Sequence, residues 1–271
     1  MKNLIRPLLI AASAFALPSC FQHAITVQIQ PDGSGTIVEE TRLGAQMLQM
    51  MEQMAAGFGG NAAQADPTKD MLSEDKAKER ATKLGQGVRL VKVEPVADHG
   101  NKGARVTYAF DDITQINLST SEGSKAMQPP GAPPRQAPKE SPIRFEFNDG
   151  ELTVLMPQPD PDALQKADAP AEQPDLDNPE AMDMMKQMFG DMKMSIVIQA
   201  SSGIASTDAT HRDGDTVTLM EMNFGKLVEN EDNLKKLATI DQKDPQKAME
   251  AFKGIDGVRF ESKPSIKIKL K

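Results

Sequence analysis

A strict two-residue alternation at the end of the chain constrains its fold more than any other feature. Ile266, Ile268 and Leu270 alternate with Lys267, Lys269 and Lys271, and successive side chains on a strand point to opposite faces. The segment reads as a half-buried strand, apolar inward and lysine outward, with charges that discourage pairing to a further strand. The C-terminus is therefore expected inside a sheet, and truncating it should impair folding.

The same period recurs upstream. From His23 to Gln30, Ile25, Val27 and Ile29 share one face, and Thr36 to Thr41 is a second β-type run. Pro31-Asp32-Gly33-Ser34-Gly35 between them has the chemistry of a tight turn, which makes a hairpin. Strands are expected at 88–96 and 104–110, joined through Asp98-His99-Gly100-Asn101, and a short hairpin at 143–147 and 152–156 turned by Asn148-Asp149-Gly150.

Helical spacing marks other segments. Leu43, Met47, Met50, Met51 and Met54 predict a helix over 43–56, followed by a loop over 61–68. Ser73 can cap a helix that reaches Leu84 and stops at Gly85. Met182, Met185, Met188, Phe189 and Met192 lie near one face of a helix over 179–192. Strands at 194–199 and 216–222, helices at 225–238 and 245–252, and extended chain over 258–270 complete the pattern.

Two stretches interrupt it. Pro129, Pro130, Pro133, Pro134 and Pro138 fall among small polar residues in 119–141, and 157–178 is rich in Pro and Asp. Neither has enough apolar surface to order itself, so both read as linkers or long loops. The expected organisation is a leader over 1–19, an N-terminal α+β half over 20–118, the Pro-rich segment 119–141, a hairpin over 142–156, the Pro/Asp-rich loop 157–178, and a C-terminal α+β half over 179–271. The fold class expected is α+β, an antiparallel sheet with helices packed on one side. Gly87-Val88-Arg89-Leu90 and Gly257-Val258-Arg259-Phe260 each open a strand after a helix. A duplicated ββααββ-like unit would explain that order, as would the general alternation of hairpins and helices in α+β proteins.

Cysteine usage sets the address. Lys2 and Arg6 precede an apolar run from Pro7 to Leu17, a secretory signal; at about 11 residues it is well short of the roughly 20 that span a bilayer. The run ends at Leu17-Pro18-Ser19-Cys20, and Cys20 is the one cysteine in the chain. Here the chain resembles a bacterial lipoprotein precursor, whose lipobox has Leu at minus three, a small residue at minus one, and a cysteine that is acylated and becomes the mature N-terminus. Leu17, Ser19 and Cys20 match that pattern, while Pro18 departs from it, since Ala or Ser is usual there. Cleavage after Ala16, at Ala14-Phe15-Ala16, is the alternative and would leave Cys20 a spare thiol. The resemblance implies a lipid-anchored, extracytoplasmic protein of the bacterial cell envelope. Phe21 stands where an Asp would resemble an inner-membrane retention signal, which favours the outer membrane where there is one. The hairpin with its Asp-Gly turn and the closing β region also loosely resemble lipoproteins of the LppM type, from which no residue role is carried over.

Without residues 1–19 the chain keeps 29 basic and 39 acidic side chains, a net charge of −10. No basic face remains to neutralise phosphates, so nucleic acid is disfavoured as a partner. Membrane attachment must rest on lipid and not on a polybasic patch. Disulfides and thiolate metal sites are excluded by the single cysteine, and the core must hold by packing. With no Trp and one Tyr, Tyr108, a sugar- or base-stacking platform is also disfavoured.

Candidate chemistry is sparse. Asp32, Asp213 and Asp215 suit turns and do not supply the ordered oxygen ligands of a calcium loop. His23, His99 and His211 lie in unrelated segments, and no metal or other cofactor is expected. Ser73-Glu74-Asp75-Lys76 has the Ser-x-x-Lys spacing of penicillin-recognising enzymes, but the companion motifs are absent and a helix cap is favoured. Glu39-Glu40 and Asp111-Asp112 are expected to be solvated, the latter starting a helix over 113–118. Met47, Met50, Met51, Met54, Met182, Met185 and Met188 suit either an irregular core or a surface that accepts varied apolar partners. The Met-x-x-Met spacing of Met47 to Met50 and of Met51 to Met54 also suits Cu(I), though without histidine or cysteine partners. The function expected is that of a membrane-anchored, non-enzymatic binding or assembly module for a protein or an apolar ligand. The alternative is a cell-envelope hydrolase or transferase whose site is assembled from dispersed residues.

Overall fold

The structure is a computed structural model. It describes residues 21–49, 51, 67–98, 100–119, 142–157, 180, 182–183, 186, 190–230, 232–233 and 254–271. The leader, Cys20, most of both Pro-rich stretches, the expected helix over 245–252, His99, and Met50, Met54, Met185 and Met188 lie outside these residues.

In chain order the strands are β1 Phe21–Ile29, β2 Gly35–Leu43, β3 Arg89–Asp98, β4 Asn101–Phe110, β5 Asn117–Leu118, β6 Ile143–Asn148 and β7 Glu151–Leu155. They continue as β8 Lys193–Ala200, β9 Ile204–Thr207, β10 Arg212–Asp213, β11 Thr216–Asn223, β12 Val258–Phe260 and β13 Ser265–Leu270. Short helices accompany them: α1 Pro67–Met71, α2 Glu74–Leu84 and α3 Phe224–Glu229, with a 3₁₀ turn at Ile113–Gln115. This is the expected α+β class, dominated by sheet.

The strands form two sheets. The larger runs β10-β11-β8-β1-β2-β4-β3, with β12 also on β11, and the smaller runs β5-β6-β7-β13-β9. Among the described residues every pairing is antiparallel except β1 with β8, which run parallel with Ile25 beside Ile196 and Val27 beside Ile198. That seam joins strands about 170 residues apart, as the Gln28–Gln199 side-chain bond across it also does.

Local chemistry fixes the hairpins. Asp32 accepts from the Ser34 N–H at 3.0 Å and its hydroxyl at 2.7 Å, closing the β1–β2 turn. In the β6–β7 turn Asp149 and Gly150 have φ of 48° and 71°, the pair of left-handed residues that a type I′ turn requires. Ser73 caps α2 by accepting from Lys76 N–H at 3.4 Å, as its position before an acidic first turn implies.

One contiguous core fills the space between the sheets. Ile25, Val27, Ile29 and Ile37 of the larger sheet meet Leu152, Val154, Ile266 and Ile268 of the smaller, all at 2% exposure or less. Ala81 and Leu84 of α2 join the same cluster, so α2 and the small sheet cover one face of the large sheet. A bulge between Thr218 and Met220 accompanies burial of Leu219 and Met220 as consecutive residues, which regular alternation forbids. The opposite face carries half-buried or exposed Thr26, Gln28, Thr36, Val38 and Gln199.

Four expectations are corrected. β13 is not a terminal edge, because it pairs with β7 on one side and β9 on the other. Its lysines are accommodated on the outer face, with Lys267 Nζ 2.8 Å from Glu151 and Lys269 Nζ donating to the Asp149 carbonyl at 2.5 Å. The expected helix over 113–118 is a single 3₁₀ turn capped by Asp112, after which β5 begins. The loop over 61–68 ends early, since Pro67 opens α1, a position where its missing N–H costs nothing. Finally, the repeated order of elements is not a repeated fold unit. β1 and β8 run parallel with the same face buried, yet β2 lies beyond β1 on one side and β11 beyond β8 on the other. Two such arrangements have opposite hands, and no rotation superposes them.

Candidate functional site

Parallel and antiparallel registers together bring the beginning of β1, the end of β2, the beginning of β8 and the end of β11 to one pole of the large sheet. Phe21 pairs with Leu43, and Gln22 with Lys193. Met222 pairs with Met194, and the Phe224 N–H donates to the Met192 carbonyl at 2.9 Å. The chain leaves β2 into a helical segment over 45–49, whose Leu48 turns inward.

A second apolar cluster, separate from the main core, results. Phe21, Leu43, Leu48, Met192 and Met194 are buried, and Met47, Met51, Met71 and Phe224 pack on them while keeping part of their surface exposed. From the helix expected over 43–56, Met47 and Met51 reach this pole, and from the one expected over 179–192, Met192 does. Of the candidate methionines, Met47 and Met51 belong to this cluster, and Met182 is buried at 6% exposure. Methionine is suited to such a place because its unbranched thioether adapts to irregular gaps at little cost in packing.

Between this cluster and the main core lies a polar seam that sequence reasoning did not anticipate. His23 Nδ1 is 2.9 Å from Thr41 Oγ1, and its ring stacks on Phe21 with centroids 6.4 Å apart. Glu39 stands on the same face, where Arg80 of α2 donates to it from Nη2 at 2.7 Å and from Nε at 3.1 Å. The two side chains are only 11% and 16% exposed, so the expectation that Glu39 is solvated is corrected. Glu40, its neighbour, points to the opposite face and lies between Arg42 and Arg105, each at 2.6 Å. Period-two alternation dictates that split; what it could not supply is the arginine, which arrives from a helix 41 residues away.

Tyr108 completes the seam at 1% exposure. Burial pushes its phenol above the ordinary value of 10.0, the Glu39 charge adds to the rise, and Arg80 opposes it. A second buried carboxylate, Glu261, accepts from the Thr210 N–H at 2.6 Å, the Thr210 hydroxyl at 2.9 Å and the Lys263 N–H at 3.1 Å. This fastens the loop before β10 to the loop before β13 and is an architectural contact. Among the described residues no group of three His, Cys, Asp or Glu side chains is placed to hold a metal ion. No described helix is long and apolar enough to cross a membrane.

No protein-family model matches the chain, and no curated protein matches it. Among solved structures, the NMR structure of the LppM folded domain of Mycobacterium tuberculosis is similar over 79% of this chain and 88% of that one. The identity is 11% and the TM-score 0.31. The superposition is loose, and no residue or role is transferred from it.

Proposed function

We propose that the protein is an extracytoplasmic lipoprotein of a bacterial cell envelope, acylated at Cys20, whose ectodomain is a non-enzymatic binding or assembly module for an apolar ligand or a protein. The outer membrane is its favoured site where the cell has one. The observation that carries this reading is the convergence of Met47, Met51, Met71, Met192 and Met194 with Phe21 and Phe224 at one pole, where the chain enters from Cys20. Thioethers and phenyl rings offer no group that exchanges protons near neutral pH. They do offer an adaptable apolar surface that can repack around more than one partner.

The test is purification of the full chain from membranes with lipid and protein analysis of what accompanies it, set beside a Met47→Leu/Met51→Leu chain. Leucine nearly conserves volume, so stability should hold within about 1.5 kcal/mol, while the co-purifying lipid or protein falls. An unchanged set of companions would reject these methionines as the binding surface.

A further inference from the structure

We infer that the methionine pole is seated directly on the bilayer, so that the large sheet stands with β1 running away from the membrane. This rests on the reading of Cys20 as the acylated residue and adds the identity and orientation of the contacting surface. Consecutive Cα atoms are about 3.8 Å apart, and Phe21, the residue next to Cys20, is already the first residue of β1 and 1% exposed. No linker residue separates the acyl-bearing position from a strand in the middle of the large sheet. An acyl chain held there draws the whole pole to the headgroup level.

The surface at that level suits the contact. Met47, Met51, Met71 and Phe224 retain exposed area around the buried Phe21 and Leu43. Asp98 stands there beside Arg42, and exposed Lys102 and Lys193 occupy the neighbouring strand ends. The far pole is polar. The turn after β1 carries Asp32, the end of β4 is followed by Asp111 and Asp112, with Arg89 donating to Asp111 at 3.0 Å, and Asp213 and Asp215 precede β11 beside Arg212; all of these are exposed. These residues offer no apolar surface for a bilayer to take up, so the tether and the apolar surface select the same orientation.

The chain contains no Trp, so single tryptophans report position cleanly. Gln46→Trp and Lys193→Trp place the probe at exposed positions of the proximal pole, and Gln30→Trp places it at the other end of β1, roughly 30 Å away at about 3.3 Å per residue. Each full-chain variant is checked for native circular dichroism, and the mass of its N-terminal peptide is measured for acyl chains. It is then reconstituted into vesicles containing phospholipids brominated high on the acyl chain. The proposal expects the probes at 46 and 193 to lose fluorescence to the brominated lipid, and the probe at 30 to keep it. Acylated protein with equal quenching at the three positions overturns the seating while sparing the lipoprotein reading. Shielding of 46 and 193 from an aqueous quencher without any loss to brominated lipid also overturns it, since the pole is then covered by protein. A Cys20 without acyl mass overturns both.

Discussion

At the scale of single residues, the most consequential side chains are Glu39 and Arg80, whose pairing beneath α2 places a charge pair against the core. Removing one partner of such a pair leaves the other desolvated without compensation. Arg80→Met should therefore destabilise the fold by about 3 kcal/mol in chemical denaturation, and Glu39→Leu/Arg80→Met should recover most of that loss. Equal losses in the single and double variants would contradict the pairing. Tyr108 offers a second reading of the same seam. A phenol whose pKa is raised in the folded state contributes stability that is intact below its unfolded value, ordinarily 10.0, and lost as pH rises through the folded one. As the one tyrosine in a chain without tryptophan, its ultraviolet titration is unambiguous. Tyrosinate should form only above the ordinary range, together with loss of secondary structure. The alternation of β2 was legible enough to send Glu39 and Glu40 to opposite faces, but not to say which face was buried. That depended on Arg80, a contact with no local trace in the sequence.

At the scale of elements, the hairpins were the most legible parts. Asp32-Gly33-Ser34 and Asp149-Gly150 carry their turn geometry in residue type, and the flanking strands have the expected faces. β13 was legible as a half-buried strand and misjudged as a boundary, because lysines on an outer face look the same whether the strand is an edge or is flanked on both sides. Its neighbours, β7 and β9, lie about 115 and 60 residues earlier, as the Lys267–Glu151 and Thr207–Lys267 bonds record. Deleting residues 265–271 removes the strand between β7 and β9 and exposes Leu152, Val154 and Ile204, which lie at 1% exposure or less. We expect that chain to lose cooperative thermal unfolding. A truncation that still melts cooperatively near the parent temperature would contradict the pairing of β13 with both β7 and β9.

At the scale of the whole molecule, the parallel seam between β1 and β8 decides the architecture. It fuses the two halves into one sheet, and the strand order around it rules out a duplicated unit even though the order of elements invited one. Single-sequence patterns register periodicity along the chain and carry no handedness, so this difference was not legible. The seam also sets the β1 and β8 starts side by side, which gathers Phe21, Met192 and Met194 where the chain enters the fold. The methionines were conspicuous in the sequence; the meeting of Met47 and Met51 with Met192 was not, because it is produced by strand pairing.

The proposed role of that pole depends on membrane attachment through Cys20. The most direct measurement is fractionation of cells expressing the full chain or its Cys20→Ser variant, with a high-salt wash and circular dichroism of the released protein. The acylated parent should stay with membranes in high salt, and Cys20→Ser should appear as soluble, folded protein. Persistence of Cys20→Ser on washed membranes would contradict that attachment.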